Sequence, residues 1–235
     1  MSEPRGILVT GGTGALGTAV TRRLLEEGHR VAVSWVVEDE ADRTRHELAD
    51  FADLFLFRAD LSQPQEVDAL TAGAAARLGS IDALAHLVGM WRGGTPLHEV
   101  DDATWDLVMD VNLRSAFNCA RAVLPGMLAR GWGRLVFVSS LTAHRGQSEQ
   151  VPYAVAKAGV AALAEAIADE TRGRGVTANA VSPSILDTAA NRRSFPKSDP
   201  ARWVAPEDLA ATISFLISDA AGPITGAALP VRGGV

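Results

Sequence analysis

Tyr153 and Lys157 stand at the two ends of Tyr153-Ala-Val-Ala-Lys157, a spacing that puts both on one face of a helix. An ammonium beside a phenol favours the phenolate and lowers its pKa by charge proximity. Tyr153 would then be a usable acid or base toward a carbonyl or alcohol oxygen. It is the only tyrosine in the chain. Upstream, Val138-Ser139-Ser140 closes an apolar run, and a serine hydroxyl delivered from a strand end could hydrogen-bond the same oxygen. Near the start, Gly11 precedes Gly12-Thr13-Gly14-Ala15-Leu16-Gly17, a G-x-G-x-x-G run between an expected strand and an expected helix. Its glycines permit a tight turn and let backbone N–H groups approach a pyrophosphate, to which the helix N-terminus adds partial positive charge.

These groups need a scaffold, and the periodicity supplies one. Short apolar runs at Ile7–Thr10, Val31–Trp35, Leu54–Arg58, Ile81–Val88, Arg134–Ser139, Val176–Val181 and Ala227–Val231 read as strands. Between them lie segments of helical period: Gln63 to Leu78, Asp102 to Arg130 with a break near Pro125, Tyr153 to Arg172, and Pro206 to Asp219. Apolar strands without alternation suit a parallel sheet covered on both faces. Strict alternation predicts a single doubly wound α/β (Rossmann) domain over 1–235, a mostly parallel seven-stranded sheet with helices on both sides. Right-handed crossovers place the loops after the strands along one edge, where ligands bind. The least regular stretch, 182–203, suits a substrate-covering loop.

Composition narrows the class. Of 235 residues 47% are hydrophobic and 21% charged, which excludes disorder and coiled coil. A net charge of −6 argues against nucleic acid as a partner. The single cysteine, Cys119, forbids an internal disulfide or a cysteine metal cluster, and no His, Asp or Glu group has metal-ligand spacing. The opening MSEPRG lacks the pattern of a signal peptide, and no apolar stretch reaches the roughly 20 residues of a membrane span. The expectation is a cytoplasmic protein with no membrane partner.

A dinucleotide site commonly has Asp or Glu at the end of strand two, on the adenosine ribose. Here that position is Trp35, with no Arg or Lys beside it to take a 2′-phosphate. The choice between NAD and NADP stays open, and Glu38 and Asp39 tilt it toward NAD; Arg43 and Arg45 could fold back. Asp60-Leu61, after strand three, is placed either to contact the adenine or, through Asp60, to cap the next helix. His86 reads as a buried hydrogen-bonding group. His144 lines a pocket or does not, on equal grounds. Trp91, Arg92, Arg192, Arg193, Phe195 and Trp203 fall on loops at the expected mouth, which suits a flat or anionic substrate.

With these motifs in order, the chain resembles the short-chain dehydrogenase/reductase family over essentially its whole length. The resemblance implies a Ser140-Tyr153-Lys157 triad. Asn112, in Asp110-Val111-Asn112, matches the family's fourth catalytic residue. Gly89 would lie against the cofactor, as would Val181-Ser182-Pro183-Ser184-Ile185, with Ile185 and Thr188 at the nicotinamide carboxamide. The implied activity is NAD(P)-dependent interconversion of a carbonyl and a secondary alcohol, with Tyr153 transferring the proton. The implied assembly is a homotetramer or homodimer. Some positions depart from the pattern: His86-Leu87-Val88-Gly89 replaces Asn-Asn-Ala-Gly, Ser184 replaces Gly, and Arg232 replaces Asp. Gly14-Ala-Leu-Gly17 with Val36-Val-Glu-Asp-Glu40, and Leu186 to Pro196, are similar to dihydropteridine reductases, which typically lack a serine like Ser140. Two alternatives follow: a pteridine-type reductase and a non-catalytic dinucleotide-binding regulator.

Overall fold

The computed structural model describes residues 3–234. Seven strands, β1 Gly6–Thr10, β2 Arg30–Trp35, β3 Leu54–Arg58, β4 Ala83–His86, β5 Gly133–Val138, β6 Val176–Pro183 and β7 Ala228–Val231, form one sheet in the order β3-β2-β1-β4-β5-β6-β7. Every pairing is parallel, β7 included, so the expected "mostly" is in fact complete. All residues of β1, β4, β5 and β6 are buried, which is why these strands lack alternation. The order reverses between β1 and β4, and this switch point opens the crevice for a ligand.

Two apolar layers cover the sheet. On one face α3 (Pro64–Leu78), α5 (Ser115–Arg130) and α7 (Val151–Glu170) pack around Leu84, Leu135 and Phe137. On the other, α1 (Ala15–Glu26) and α9 (Pro206–Ile217) pack around Val9, Val33, Val136 and Val181. A further helix, α2 (Glu38–Glu47), follows β2; only Ala41 and Thr44 on it are buried, too little for a clear apolar period.

The long helical region breaks in a different place from the one expected. Helix α4 (Asp102–Met109) passes into a π-helical segment, Asp110–Arg114, before α5, whereas Pro125 lies inside α5 without ending it. The cause is side-chain capture of backbone carbonyls. Asn112 Nδ2 donates to the Val108 carbonyl at 2.9 Å, and Ser115 Oγ donates to the Val111 carbonyl at 2.6 Å.

Helix α7 also corrects an expectation: by length and composition it is apolar enough to cross a bilayer. Its Ala156, Val160, Ala161, Ala164 and Ile167 are instead buried in the layer over β5 and β6. The 182–203 stretch is partly ordered by β6, which reaches Pro183, by α8 (Ala189–Ser194), and by a bridge from Leu186 to Val204. At the opposite end of the sheet, Trp132 lies between the guanidinium groups of Arg5 and Arg134, at 4.1 and 4.4 Å, and donates to Asp219 at 3.0 Å.

Candidate active site

The glycine loop is shaped by two kinds of requirement. A Cβ on Gly17 would lie 2.2 Å from the Gly11 carbonyl oxygen, and one on Gly12 would lie 2.7 Å from Val33 Cγ1, so packing alone demands both glycines. Gly14 differs, because a Cβ there meets nothing closer than 3.8 Å. Gly14 is the N-cap of α1, with no side-chain cap and no acidic residue in the first turn. The open space before unneutralised helix N–H groups fits a dinucleotide pyrophosphate. Ala15 and Leu16 form that first turn, with Leu16 buried. Thr13 is buried; its hydroxyl donates to Glu40 at 3.4 Å and its carbonyl accepts from Arg43 at 3.5 Å.

Trp35 sits at the end of β2, largely buried, with its indole nitrogen lacking a hydrogen-bond partner among the described residues. Arg45 lies over its ring at 5.4 Å and pairs with Glu38 and Asp42. Asp60 does not cap α3, whose N-cap is Gln63; its carboxylate accepts from the backbone and hydroxyl of Ser62 instead. Leu61 is buried, and its carbonyl accepts from Asn118 at 3.0 Å. Asn118 was not foreseen, although a buried polar residue on an apolar helix face was the available signal.

Beyond β4 and β5 the remaining groups converge. Asn112 is fully buried and exchanges two hydrogen bonds with the Met90 backbone, at 3.0 and 3.1 Å. A Cβ on Gly89 would lie 2.7 Å from Lys157 Nζ and 3.1 Å from Asn112 Oδ1, so any larger residue there would push on the ends of both side chains. Lys157 Nζ donates to the Val138 carbonyl at 2.9 Å, and Ser139, from β5's end, donates to the Lys157 carbonyl at 2.7 Å. The two bonds lock α7 to the strand end that presents Ser140. Lys157 Nζ stands 5.9 Å from the centre of the Tyr153 ring.

The electrostatics of Tyr153 run against expectation. Burial pushes its phenol above the usual value, and the Ser140 hydroxyl pulls the other way. Lys157, buried beneath, is itself held down to about 8 by loss of solvent and does not drive the phenol downward. His86 lies in the same interior and is held to about 3, chiefly by burial and then by the charge of Lys157. Since Ser115 spends its one proton on Val111, His86 Nε2 must donate to Ser115 Oγ, at 3.2 Å. Nδ1 then accepts from Thr10 Oγ1, at 2.8 Å. His86 is thus a neutral structural link, as its position suggested.

Helix α6 (Thr142–Arg145) follows Ser140, whose Oγ lies 2.5 Å from Thr142 Oγ1 and accepts from the Thr142 backbone N–H at 3.3 Å. His144 is exposed and bonds the buried Ser182 through Nε2 at 3.0 Å. The Pro183 carbonyl accepts from Leu141 N–H, joining the Ser140 turn to the end of β6. Ile185 is exposed, and Thr188 caps α8 by accepting from Asn191. Asp187 and Arg192 form a two-pronged ion pair at 2.6 and 2.7 Å. Trp91, after β4, meets Phe195 edge-on at 6.2 Å.

A dinucleotide cradle at the switch point and a hydroxyl pair over a buried lysine define a class of nucleotide-dependent oxidoreductase. The family model described as enoyl-(acyl carrier protein) reductase matches residues 12–235. Acetoacetyl-CoA reductase of Allochromatium vinosum is 37% identical, over 97% of each chain. Cis-4-hydroxycyclohexanecarboxylate dehydrogenase of Sinomonas cyclohexanicum is also 37% identical, over 97% of this chain and 94% of its own. Among solved structures, the actinorhodin polyketide ketoreductase with NADPH superposes with a TM-score of 0.91 at 30% identity, covering 99% of this chain and 97% of that one. Levodione reductase gives 0.92 at 28% identity, with 98% and 96% covered. The chain belongs to the short-chain dehydrogenase/reductase family. It is an NAD(P)-dependent enzyme that interconverts a carbonyl and an alcohol.

Proposed function

We propose that the enzyme reduces a ketone, or oxidises the matching secondary alcohol, on a substrate carrying an anionic group such as the phosphates of a β-ketoacyl-coenzyme A thioester or a ring carboxylate. The carrying observation is the Ser140 hydroxyl beside the Tyr153 phenol, above Lys157 at the open edge of the sheet. A nicotinamide cofactor held there would supply or accept hydride. Tyr153 gives its proton to the substrate oxygen in reduction and takes it in oxidation. Ser140 hydrogen-bonds that oxygen, and Lys157 holds the cofactor ribose and keeps the phenol in place. Asn112, locked to Met90, shapes the path by which the proton is replaced. Gly11 to Gly17, Leu61, Gly89, Pro183, Ile185 and Thr188 contact the cofactor. The 182–203 segment covers the substrate, with Phe195 and Trp91 at its edge.

The anionic class draws support from charge at the mouth. In a chain of net charge −6, Arg92, Arg145 and Arg193 stand exposed on the three segments around the site, outside the ion pairs of the described residues. The relatives named for acetoacetyl-CoA and for a cyclohexanecarboxylate point the same way.

For the cofactor we infer NAD with weak discrimination. Arg45 is held by two carboxylates and Glu40 reaches the glycine loop, so a 2′-phosphate would meet mixed charge. The assembly we infer is a homodimer or homotetramer paired through α5 and α7. A groove of about 500 Å³ runs there between Met109, Leu113, Phe117, Gly159, Ala162 and Leu163. Among the described residues the one helix of spanning length is built into the sheet's cover, which supports a water-soluble enzyme.

The test is a panel followed by absorbance of NADH and NADPH: acetoacetyl-CoA, a keto-cyclohexanecarboxylate, their uncharged ester and cyclohexanone counterparts, and a quinonoid dihydropterin. Turnover is expected on ketones, with kcat/KM at least about tenfold higher for the anionic members, the size of one charge-assisted contact. Equal rates on neutral ketones would remove the anionic class. Pterin turnover without ketone turnover, unaffected by Ser140→Ala, would replace the whole reading with the pteridine alternative.

A further inference from the structure

Ser140 has one proton and two lone pairs to distribute. Resting on the assignment of Ser140 and Tyr153 to the reacting oxygen, the question is what decides where that proton points. The Thr142 backbone N–H occupies one lone pair, at 3.3 Å. Thr142 Oγ1 lies 2.5 Å from the same oxygen, and either hydroxyl can be the donor there. Thr142 Oγ1 has no other hydrogen-bond partner among the described residues, so its own proton is free for Ser140. If Ser140 donated to Thr142 instead, it would have nothing left for a substrate oxygen or a phenolate.

We propose that Thr142 is a positioning residue: its hydroxyl donates to Ser140 Oγ, fills the second lone pair, and leaves the Ser140 proton directed at the oxygen it shares with Tyr153. Two hydroxyls in series also strengthen one another, because a hydroxyl that accepts becomes a better donor. The arrangement reverses when needed. With Tyr153 as phenol, Ser140 can accept from it and donate to Thr142; with Tyr153 as phenolate, the chain runs Thr142 to Ser140 to Tyr153. Valine at 142 has the same shape and can do neither.

Because Tyr153 is the only tyrosine, its ionisation can be read without substrate or cofactor. Tyrosinate ultraviolet difference absorbance, or the ring-carbon resonance of labelled tyrosine, then arises from one residue. Lys157, whose Nζ lies 5.9 Å from the centre of its ring, is unchanged in every variant compared. Thr142→Val is expected to raise the Tyr153 midpoint by about one pH unit and to lower kcat about tenfold with little change in KM, the scale of one lost hydrogen bond. Thr142→Ser, which restores only the hydroxyl, is expected to return both to wild type. A merely structural role would leave the Tyr153 midpoint where it is and would be rescued by valine, which keeps the shape, rather than by serine. A Thr142→Val protein with wild-type midpoint and kcat overturns the proposal. Ser140→Ala separates the two levels. If it raises the midpoint and suppresses turnover while Thr142→Val does neither, only the role of Thr142 fails. If Ser140→Ala turns over normally, the assignment of the site falls with it.

Discussion

At the scale of single residues, the site is a problem of two ionisations in a dry interior. Tyr153 sits above its ordinary value because burial disfavours the phenolate, so it is the protonated acid near neutral pH. Ketone reduction is therefore expected to be flat through neutral pH and to fall in alkali, while alcohol oxidation rises with pH. Tyr153→Phe is expected to lower kcat by roughly 10²-fold or more, with cofactor binding kept, as titrated by tryptophan fluorescence. Wild-type turnover in that variant would end the role given to Tyr153. His86 predicts a different pH effect, on stability. Its folded pKa, about 3, lies below the ordinary 6.5, so between these values the unfolded chain binds a proton the folded chain refuses. Stability is thus full above about 6.5 and is lost as pH falls toward 3, by up to about 1.4 kcal/mol per pH unit. Urea midpoints measured down this range are expected to drop less steeply in His86→Asn; an identical slope would exclude His86 as the cause. Ser140, Tyr153 and Lys157 were picked out as candidates because each carries its chemistry in its side chain at a telling spacing, whereas Asn112 came only from the family resemblance. The depressed Lys157 and raised Tyr153 were not legible, because desolvation depends on what surrounds a residue in space.

At the scale of elements, the glycine loop separates steric need from ligand need. Gly17→Ala drives a Cβ into the Gly11 carbonyl and is expected to cost about 1–3 kcal/mol of folding stability or more. Gly14→Ala meets open space, so folding should change by under about 1 kcal/mol while dinucleotide affinity falls, since the methyl occupies the approach to the helix N–H groups. Calorimetry with NADH and a denaturation series on both variants tests the split; equal effects on both quantities in both variants would contradict it. The five central strands, β2, β1, β4, β5 and β6, were readable to within a few residues because burial on both faces leaves unbroken apolar runs. Helix α2 was not, since only Ala41 and Thr44 on it are buried and most of its other residues are charged. Nor was the break at Asp110–Arg114. Pro125 carries the obvious helix-breaking chemistry, yet the actual interruption comes from Asn112 and Ser115 taking carbonyls one turn back, a signal spread over two unremarkable polar residues.

At the scale of the molecule, the α5–α7 groove leaves Phe117 at 45% exposure, and elsewhere on α7 Val155 is 43% exposed, apolar surface that suits a partner helix. Phe117→Asp is expected to shift light scattering from an oligomer to a monomer at micromolar concentration; a wild-type protein already monomeric there would refute the pairing. The far end of the sheet has a consequence for handling the enzyme. Arg5 enters beside Trp132 and Asp219 at the base, below the strands' starting ends, while the candidate site groups follow their finishing ends. A Cβ on Gly233 would lie 2.4 Å from the Trp203 carbonyl oxygen and one on Gly234 2.9 Å from Arg202 Cα, so this stretch runs close along the backbone at the end of the 182–203 segment. A linker fused ahead of Arg5 would anchor the protein to a bead or electrode upright, with the candidate site outward, whereas one fused behind Gly234 would emerge beside the 182–203 segment and crowd that end.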